Sequence, residues 1–235
     1  MPQIRLEGVS KNYRQEPDKR IIAAVQDVNL TIEQGEFVFI TGSSGAGKST
    51  LLQLLSCETQ PSRGSVYLDD INVSSLARWL WERKRQSFGY VPQVSTLIRK
   101  KTIAENLFPV AALGPGRSRS AEERMIKALR LVGMGDVLYR YPVELSQGEC
   151  RRVELARAIV NNPPILALDE LTANLDEDTA WDIFLFLTEV NHHGTTVIMA
   201  THAKNFVNLM RRRVITLVDG RILGDVQKGR YGDVV

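Results

Sequence analysis

Residues 36–55 place a strand pattern, a glycine-rich loop and a helix pattern end to end. Glu36-Phe-Val-Phe-Ile40 is a short, nearly continuous apolar run, as expected of a central strand buried on both faces. Gly42-Ser43-Ser44-Gly45-Ala46-Gly47-Lys48-Ser49-Thr50 follows, and Leu51, Leu52, Leu54 and Leu55 then carry a helix from about Lys48 to Ser56. The loop matches G-x-x-x-x-G-K-S/T in the strand-to-helix context that the pattern requires. Its glycines let the backbone curl tightly, so that N–H groups face inward and, with the positive end of the helix, hold phosphate oxygens. Lys48 is expected to reach the β- and γ-phosphates, and Ser49 to offer its hydroxyl to Mg²⁺. The bland alternative is a glycine-rich turn capping a helix.

The rest of the chain supports an α/β architecture. Residues 3–9 and 25–32 alternate, with Val28, Leu30 and Ile32 on one side and Asn29, Thr31 and Glu33 on the other, so strands with one wet face are predicted. Pro61-Ser-Arg-Gly64 reads as a turn before a strand through Val66 and Leu68. From Val94 to Asn161 helical patterns dominate, interrupted at Gly114-Pro115-Gly116. Arg117 to Ser120 reads as a solvated link, with Ser120 capping a helix that starts near Ala121. Alternation then returns: strands at Ile165–Leu168, Thr195–Ala200 and Val214–Val218, helices at about 178–190 and 203–210. Strands alternating with helices imply a mostly parallel sheet with right-handed crossovers, and the helical middle reads as an insertion.

Composition narrows the partners. Of 235 residues, 43% are hydrophobic and 24% charged, ordinary for a soluble globular protein. The net charge of +3 lacks the concentrated basic stripe of a nucleic-acid binder, and none is expected as a partner. No apolar run approaches the ~20 residues of a membrane span. Met1-Pro-Gln-Ile-Arg5 has no apolar leader core, so a cytosolic chain is expected. Two distant cysteines, Cys57 and Cys150, form neither a disulfide framework nor a C-x-x-C site.

Two further motifs carry chemistry. Ile165-Leu-Ala-Leu168 ends in Asp169 and Glu170. An acid at such a strand end can bind Mg²⁺ through its water shell, and the next can orient or deprotonate an attacking water. The same Asp would also serve as an ordinary helix cap. In Leu145-Ser146-Gln147-Gly148-Glu149, Ser146 and Glu149 form a capping box. Its free N–H groups could equally bind phosphate.

With those three motifs in order, the whole chain resembles the ATP-binding cassette ATPases. The resemblance implies a phosphate-loop α/β core with an antiparallel β lobe at the N-terminus and an inserted helical lobe. One domain over 1–235 is expected, with core and β lobe in 1–93 and 161–235 and the helical lobe at about 94–160. It implies ATP and Mg²⁺ as ligands, with Gly42 to Thr50 around the phosphates and Ser49, Gln93 and Asp169 at the metal. It makes Glu170, His202 and Lys48 catalytic, and places Tyr13 on the adenine. Ser146 and Gly148 would meet the γ-phosphate held by a second copy, so a head-to-tail homodimer is implied, and Ala173-Asn-Leu-Asp176 resembles the loop crossing that interface. Gln147, Leu171 and Ala203 depart from the family's usual glycine, proline and aspartate, and slow ATPase activity is expected rather than none.

Gly35 to Leu52, Pro61 to Gly64, Gly194 to His202, Val207-Asn208, Met210 to Ile215, Asp219 to Ile222 and Lys228 to Gly232 are most similar to the family's cell-division branch. That implies an integral membrane partner resembling FtsX, peptidoglycan hydrolase control, and a peripheral place on the cytoplasmic face of the plasma membrane, with membrane contact through the partner. The lipoprotein-release and macrolide-export cassettes are the alternative. A chromosome-associated cassette would need long coiled-coil insertions, and no heptad run is present. A non-hydrolysing ATP scaffold is the third class. The basic runs Arg83-Lys-Arg85, Arg99-Lys-Lys101 and Arg211-Arg-Arg213 read as solvated faces, the alternative for the first two, which flank Gln93, being contact with an anionic membrane surface. Trp79 and Trp81 read as half-buried, and Phe184, Leu185 and Leu187 as core.

Overall fold

A computed structural model of the chain describes residues 3–15, 20–114 and 118–234, the side chains of Gln15, Ser118 and Arg119 excepted. Met1 and Pro2 of the leader reading, and Pro115, Gly116 and Arg117 of the expected link, lie outside them.

The chain opens with β1 (Ile4–Gln15) and β2 (Arg20–Ile32), then β3 (Phe37–Gly42) and α1 (Lys48–Leu55). β4 (Arg63–Leu68), β5 (Ile71–Asn72), α2 (Arg78–Arg85) and β6 (Phe88–Val91) follow. Three helices come next: α3 (Ile103–Ala111), α4 (Ser118–Leu131) and α5 (Gln147–Ile159). The chain then alternates through β7 (Ile165–Asp169), α6 (Glu177–His192), β8 (Thr196–Ala200) and α7 (Lys204–Met210), and ends with β9 (Arg213–Val218) and β10 (Arg221–Val226).

Two sheets form. The four-stranded one runs β2-β1-β4-β5 and is antiparallel. The six-stranded one runs β10-β9-β3-β8-β7-β6, parallel except for β10 on its edge. Side chains alternate across a strand, and both faces of β3 are buried because each has a core of its own. Phe37 and Phe39 point into the cluster shared with α3 to α6, Val38 and Ile40 into the cluster shared with α1 and the antiparallel sheet. β7 divides likewise, Leu166 and Leu168 against Ile165 and Ala167. The continuous apolar runs of these strands are the sequence trace of that double burial.

Parallel strands bring their C-terminal ends to one edge, where open α/β sheets bind ligands. Ile40 of β3 and Asp169 of β7 both pair with Ala200 of β8. The glycine loop, the two acids and His202 therefore leave the sheet side by side.

Three expectations are corrected. The fourth helix begins at Ser118, so Ser120 lies inside its first turn and is not its cap. No Gly or Pro stands between Arg117 and Ala121 to stop the helix extending backwards. Leu185 is 51% exposed while Phe184 and Leu187 are buried. α6 turns about 100° per residue, so Leu185 faces away from the sheet that its neighbours cover. Trp79 is 65% exposed, whereas Trp81 packs on the cluster under α1. The sequence reading also missed the short strand β5 and the antiparallel edge β10.

Candidate functional site

The glycine loop is shaped by close approaches. Gly47, at the helix N-cap, has φ 98°, and a Cβ there would sit 2.2 Å from the Ala24 carbonyl oxygen. Only glycine fits so near a backbone in a left-handed conformation. The β9–β10 turn braces the loop, with the Gly220 N–H donating to the Ala46 carbonyl at 3.0 Å. Ser43, Ser44 and Gly45 stay exposed, while Ala46 and Lys48 are buried and Ser49 and Thr50 half-buried.

The Lys48 ammonium is held inside the loop. Its Nζ donates to the Ser43 and Gly42 carbonyls at 3.0 and 3.2 Å and lies 3.0 Å from His202 Nε2. Burial pulls its pKa below the ordinary lysine value, against the carboxylates of Glu170 and Asp169, which push it up. Glu170 has a left-handed backbone, φ 49°, fixed by its N–H on the Ala200 carbonyl at 2.9 Å. Non-glycine residues in that region store strain that surrounding structure must hold, a frequent feature of functional sites. The Glu170 carboxylate accepts from Gln93 Nε2 at 3.0 Å and lies 3.2 Å from His202 Nε2. Lys48, Gln93, Glu170 and His202, spread over more than 150 residues of sequence, thus form one cluster at the loop.

Asp169 differs from its neighbour. It is 2% exposed, and its Oδ1 has no hydrogen-bond partner among the described residues. Burial pushes its carboxyl up first of all, the Ser49 hydroxyl bonded to it pulls it down, and Glu170 raises it further against Lys48 and Arg151. An unpartnered buried carboxylate oxygen beside a hydroxyl suits a hard cation. No group of three or more His, Cys, Asp or Glu side chains able to hold a metal occurs among the described residues.

Gln93 is exposed, but its loop is anchored from below. On α5, Arg151 donates to the Pro92 and Gln93 carbonyls and pairs with Glu154 at 2.8 Å. Glu154 accepts from the Thr96 N–H at 3.1 Å, and Arg157 reaches the Thr96 hydroxyl. Neither Arg151 nor Glu154 was singled out from sequence. At i and i+3 on a helix such a pair reads as a solvated face; here the 92–97 loop covers it.

Ser146 caps the same helix. Its hydroxyl accepts from the Glu149 N–H at 3.2 Å, and Glu149 accepts from the Ser146 N–H at 2.7 Å. The Ser146 N–H and hydroxyl hold the Glu149 carboxyl below the usual carboxylate range. Ser146, Gly148, Gly133, Asn174, Asp176 and Thr179 line an open cleft of about 450 Å³. None of the residues lining that cleft belongs to the 42–50 loop. Tyr13 is 40% exposed on β1, its hydroxyl 3.5 Å from Gln53 of α1 and the Lys11 ammonium 5.3 Å from its ring centre.

One further residue reaches the cluster unannounced. Tyr231, in the turn-rich stretch after β10, lies with its hydroxyl 3.1 Å from His202 Nδ1 and donates at 3.5 Å to the Gly42 carbonyl. No pattern in the sequence marks it, because only the return of the chain across β9 brings it there.

The model of the family described as ABC transporter matches residues 25–173. The cell division ATP-binding protein FtsE of Streptococcus pneumoniae D39 is 40% identical over 210 residues, covering 89% of this chain and 91% of that protein. FtsE of Mycobacterium tuberculosis H37Rv is 40% identical over 230 residues, covering 97% and 98%. Among solved structures, the dimeric post-hydrolysis state of the ATP-binding cassette MJ0796 bound to ADP and Pi matches with a TM-score of 0.88. It shares 33% identity, covering 97% of this chain and 100% of that one. A family model that runs from β2 past the acidic end of β7, joined by relatives this similar along almost the full length, makes the chain a member of the ABC transporter family, an ATP-binding subunit that hydrolyses ATP.

Proposed function

We propose that the chain works as the cell-division type of cassette, as a head-to-tail homodimer with two ATP molecules between its copies. The observation that carries the dimer is an exposed capped serine beside an open cleft to which the phosphate loop of its own chain contributes no lining residue. A second copy related by a twofold axis can bring its loop to that serine.

Within each site, the N–H groups of Gly42 to Thr50 hold phosphate oxygens and Tyr13 stacks on the adenine. Lys48 leaves the loop carbonyls for the β- and γ-phosphates. Ser49, Asp169 and Gln93 are the residues that would hold Mg²⁺, which when bound neutralises charge on the phosphates. Glu170 orients water in line with the breaking bond. His202 and the opposing Ser146 and Gly148 stabilise charge on the γ-phosphoryl oxygens. ATP favours the closed dimer and hydrolysis reopens it, so the two states bind a membrane partner differently.

By its likeness to the FtsE proteins, we infer that the partner is FtsX, that the output is control of peptidoglycan hydrolases, and that the chain sits peripherally on the cytoplasmic face of the membrane. No helix among the described residues is long and apolar enough to cross a membrane. Size-exclusion chromatography of Glu170→Gln with ATP tests the site: an ATP-bound dimer is expected. A monomer that binds ATP normally overturns the role of Glu170. Capture from membranes should recover FtsX; recovery of an exporter permease would favour the lipoprotein-release branch.

A further inference from the structure

The imidazole of His202 faces groups that ask opposite things of Nε2. Lys48 Nζ, 3.0 Å away, is a donor and needs a lone pair there. The Glu170 carboxylate, 3.2 Å away, is an acceptor and needs a proton there. A γ-phosphoryl oxygen would likewise need Nε2–H. In a neutral imidazole the proton on one nitrogen decides the other, so Nε2 can change role only if Nδ1 changes in the opposite sense.

We propose that Tyr231 is the positioning residue that allows this change. Its hydroxyl lies 3.1 Å from Nδ1. A phenol can accept from Nδ1–H while Lys48 occupies Nε2, or donate to an Nδ1 lone pair while Nε2–H faces an anion. A carbonyl or carboxylate could do only the first, an ammonium only the second. The residue after the histidine, Ala203, has no side-chain group for either. This proposal rests on the reading that His202 serves the γ-phosphate.

Tyr231 is held for the task. Its N–H donates to Asn208 Oδ1 at 2.8 Å, and the Lys204 ammonium lies 5.3 Å from its ring centre. The flanking chain is tied to the residue before β9 by the Gly229 N–H on the Arg212 carbonyl at 3.0 Å, and to β9 itself by the Thr216 hydroxyl on the Asp233 carbonyl at 2.7 Å. Its ring is half-buried against the core cluster of Phe184. Burial pushes its phenol up, opposed by the hydrogen bond to Gly42 and aided by the charge of Glu170, so the proton needed for donation stays on.

The test is a double-mutant cycle of Tyr231→Phe and His202→Ala, read as steady-state ATP turnover, with ¹⁵N spectra of the imidazoles. The chain has three histidines, so His202 is assigned by its loss in His202→Ala. The expected result is kcat about tenfold lower in Tyr231→Phe, less than the ~10²–10⁴-fold of a group that itself transfers the proton, because Tyr231 acts only through His202, with KM for ATP within twofold. The His202 nitrogen shifts should move toward a different tautomer ratio in the nucleotide-free protein. In the His202→Ala background, Tyr231→Phe should cost nothing more. Asn208→Ala, which removes the anchor without touching phenol or imidazole, should give a smaller loss and guards against a folding defect at position 231. Wild-type turnover in Tyr231→Phe, while His202→Ala is inactive, would overturn this proposal alone. Full turnover in His202→Ala would overturn the reading beneath it. An undiminished further loss from Tyr231→Phe when His202 is absent, or unmoved nitrogen shifts, would assign Tyr231 some other role.

Discussion

The buried pair Arg151–Glu154 links stability to the site and can be removed stepwise. Their residues are 7% and 1% exposed. Glu154→Ala removes the carboxylate that pairs with Arg151 and the acceptor of the Thr96 N–H. Breaking one side of a buried pair costs about 3–5 kcal/mol, because the remaining charge is left without compensation. Arg151 would keep two partners, the Pro92 and Gln93 carbonyls, so the cost of Glu154→Ala falls near the lower figure. Arg151→Ala leaves Glu154 with one neutral donor and both carbonyls without theirs, so its cost falls near the upper figure. For a chain of this length each kcal/mol is worth about 2–4 °C in melting temperature. Expected losses are therefore about 6–12 °C for Glu154→Ala and about 10–20 °C for Arg151→Ala. Replacing both with apolar residues, Arg151→Met with Glu154→Leu, removes both charges and should return to within about 2 kcal/mol of the parent. ATP turnover should not return, because the Gln93 carbonyl has still lost the guanidinium that holds it. Guanidinium denaturation and a phosphate-release assay measure the two. A cost below about 1 kcal/mol for Glu154→Ala, or turnover restored together with stability in the double variant, would refute the reasoning.

Two further outcomes are expected. Burial pushes the Cys57 thiol up to about 12, aided by Glu58. At pH 8 about one molecule in ten thousand then carries the thiolate, so a thiol-reactive dye should label the folded protein only at the half-buried Cys150 and reach both cysteines after unfolding. The Glu149 carboxyl is held low by the Ser146 N–H and hydroxyl. A group depressed in the folded state adds stability above its unfolded pKa, about 4.3, and loses it as pH falls through the folded value. Glu149→Gln should therefore flatten the acid limb of a melting-temperature profile; an unchanged slope below pH 5 would contradict the capping box.

The apolar runs of β3, β7 and β8 and the loop from Gly42 to Thr50 were legible because they are local. A strand buried on both faces must be apolar throughout, and a phosphate cradle needs its glycines and lysine at fixed spacing. Ser146 was legible as a cap for the same reason. His202 and Gln93 were reached by family likeness, since a lone histidine or glutamine carries no local pattern. Leu185 was misjudged because hydrophobicity alone does not state which side of a helix the sheet will cover.

By itself, then, the order of residues determined much of what neighbours within about one turn or one strand set: the doubly buried strands, the Ser146 cap, the cradle and the acids at a strand end. Only the tertiary structure decided which distant groups share a site. The parallel register put Asp169 beside Ala200, which turned Glu170 toward His202. The 92–97 loop lay over α5, which made a surface-like charge pair into a buried anchor. The closing segment crossed β9 and delivered Tyr231 to an imidazole nitrogen. Contacts of that kind depend on sheet order and chain path, which no local interaction energy encodes.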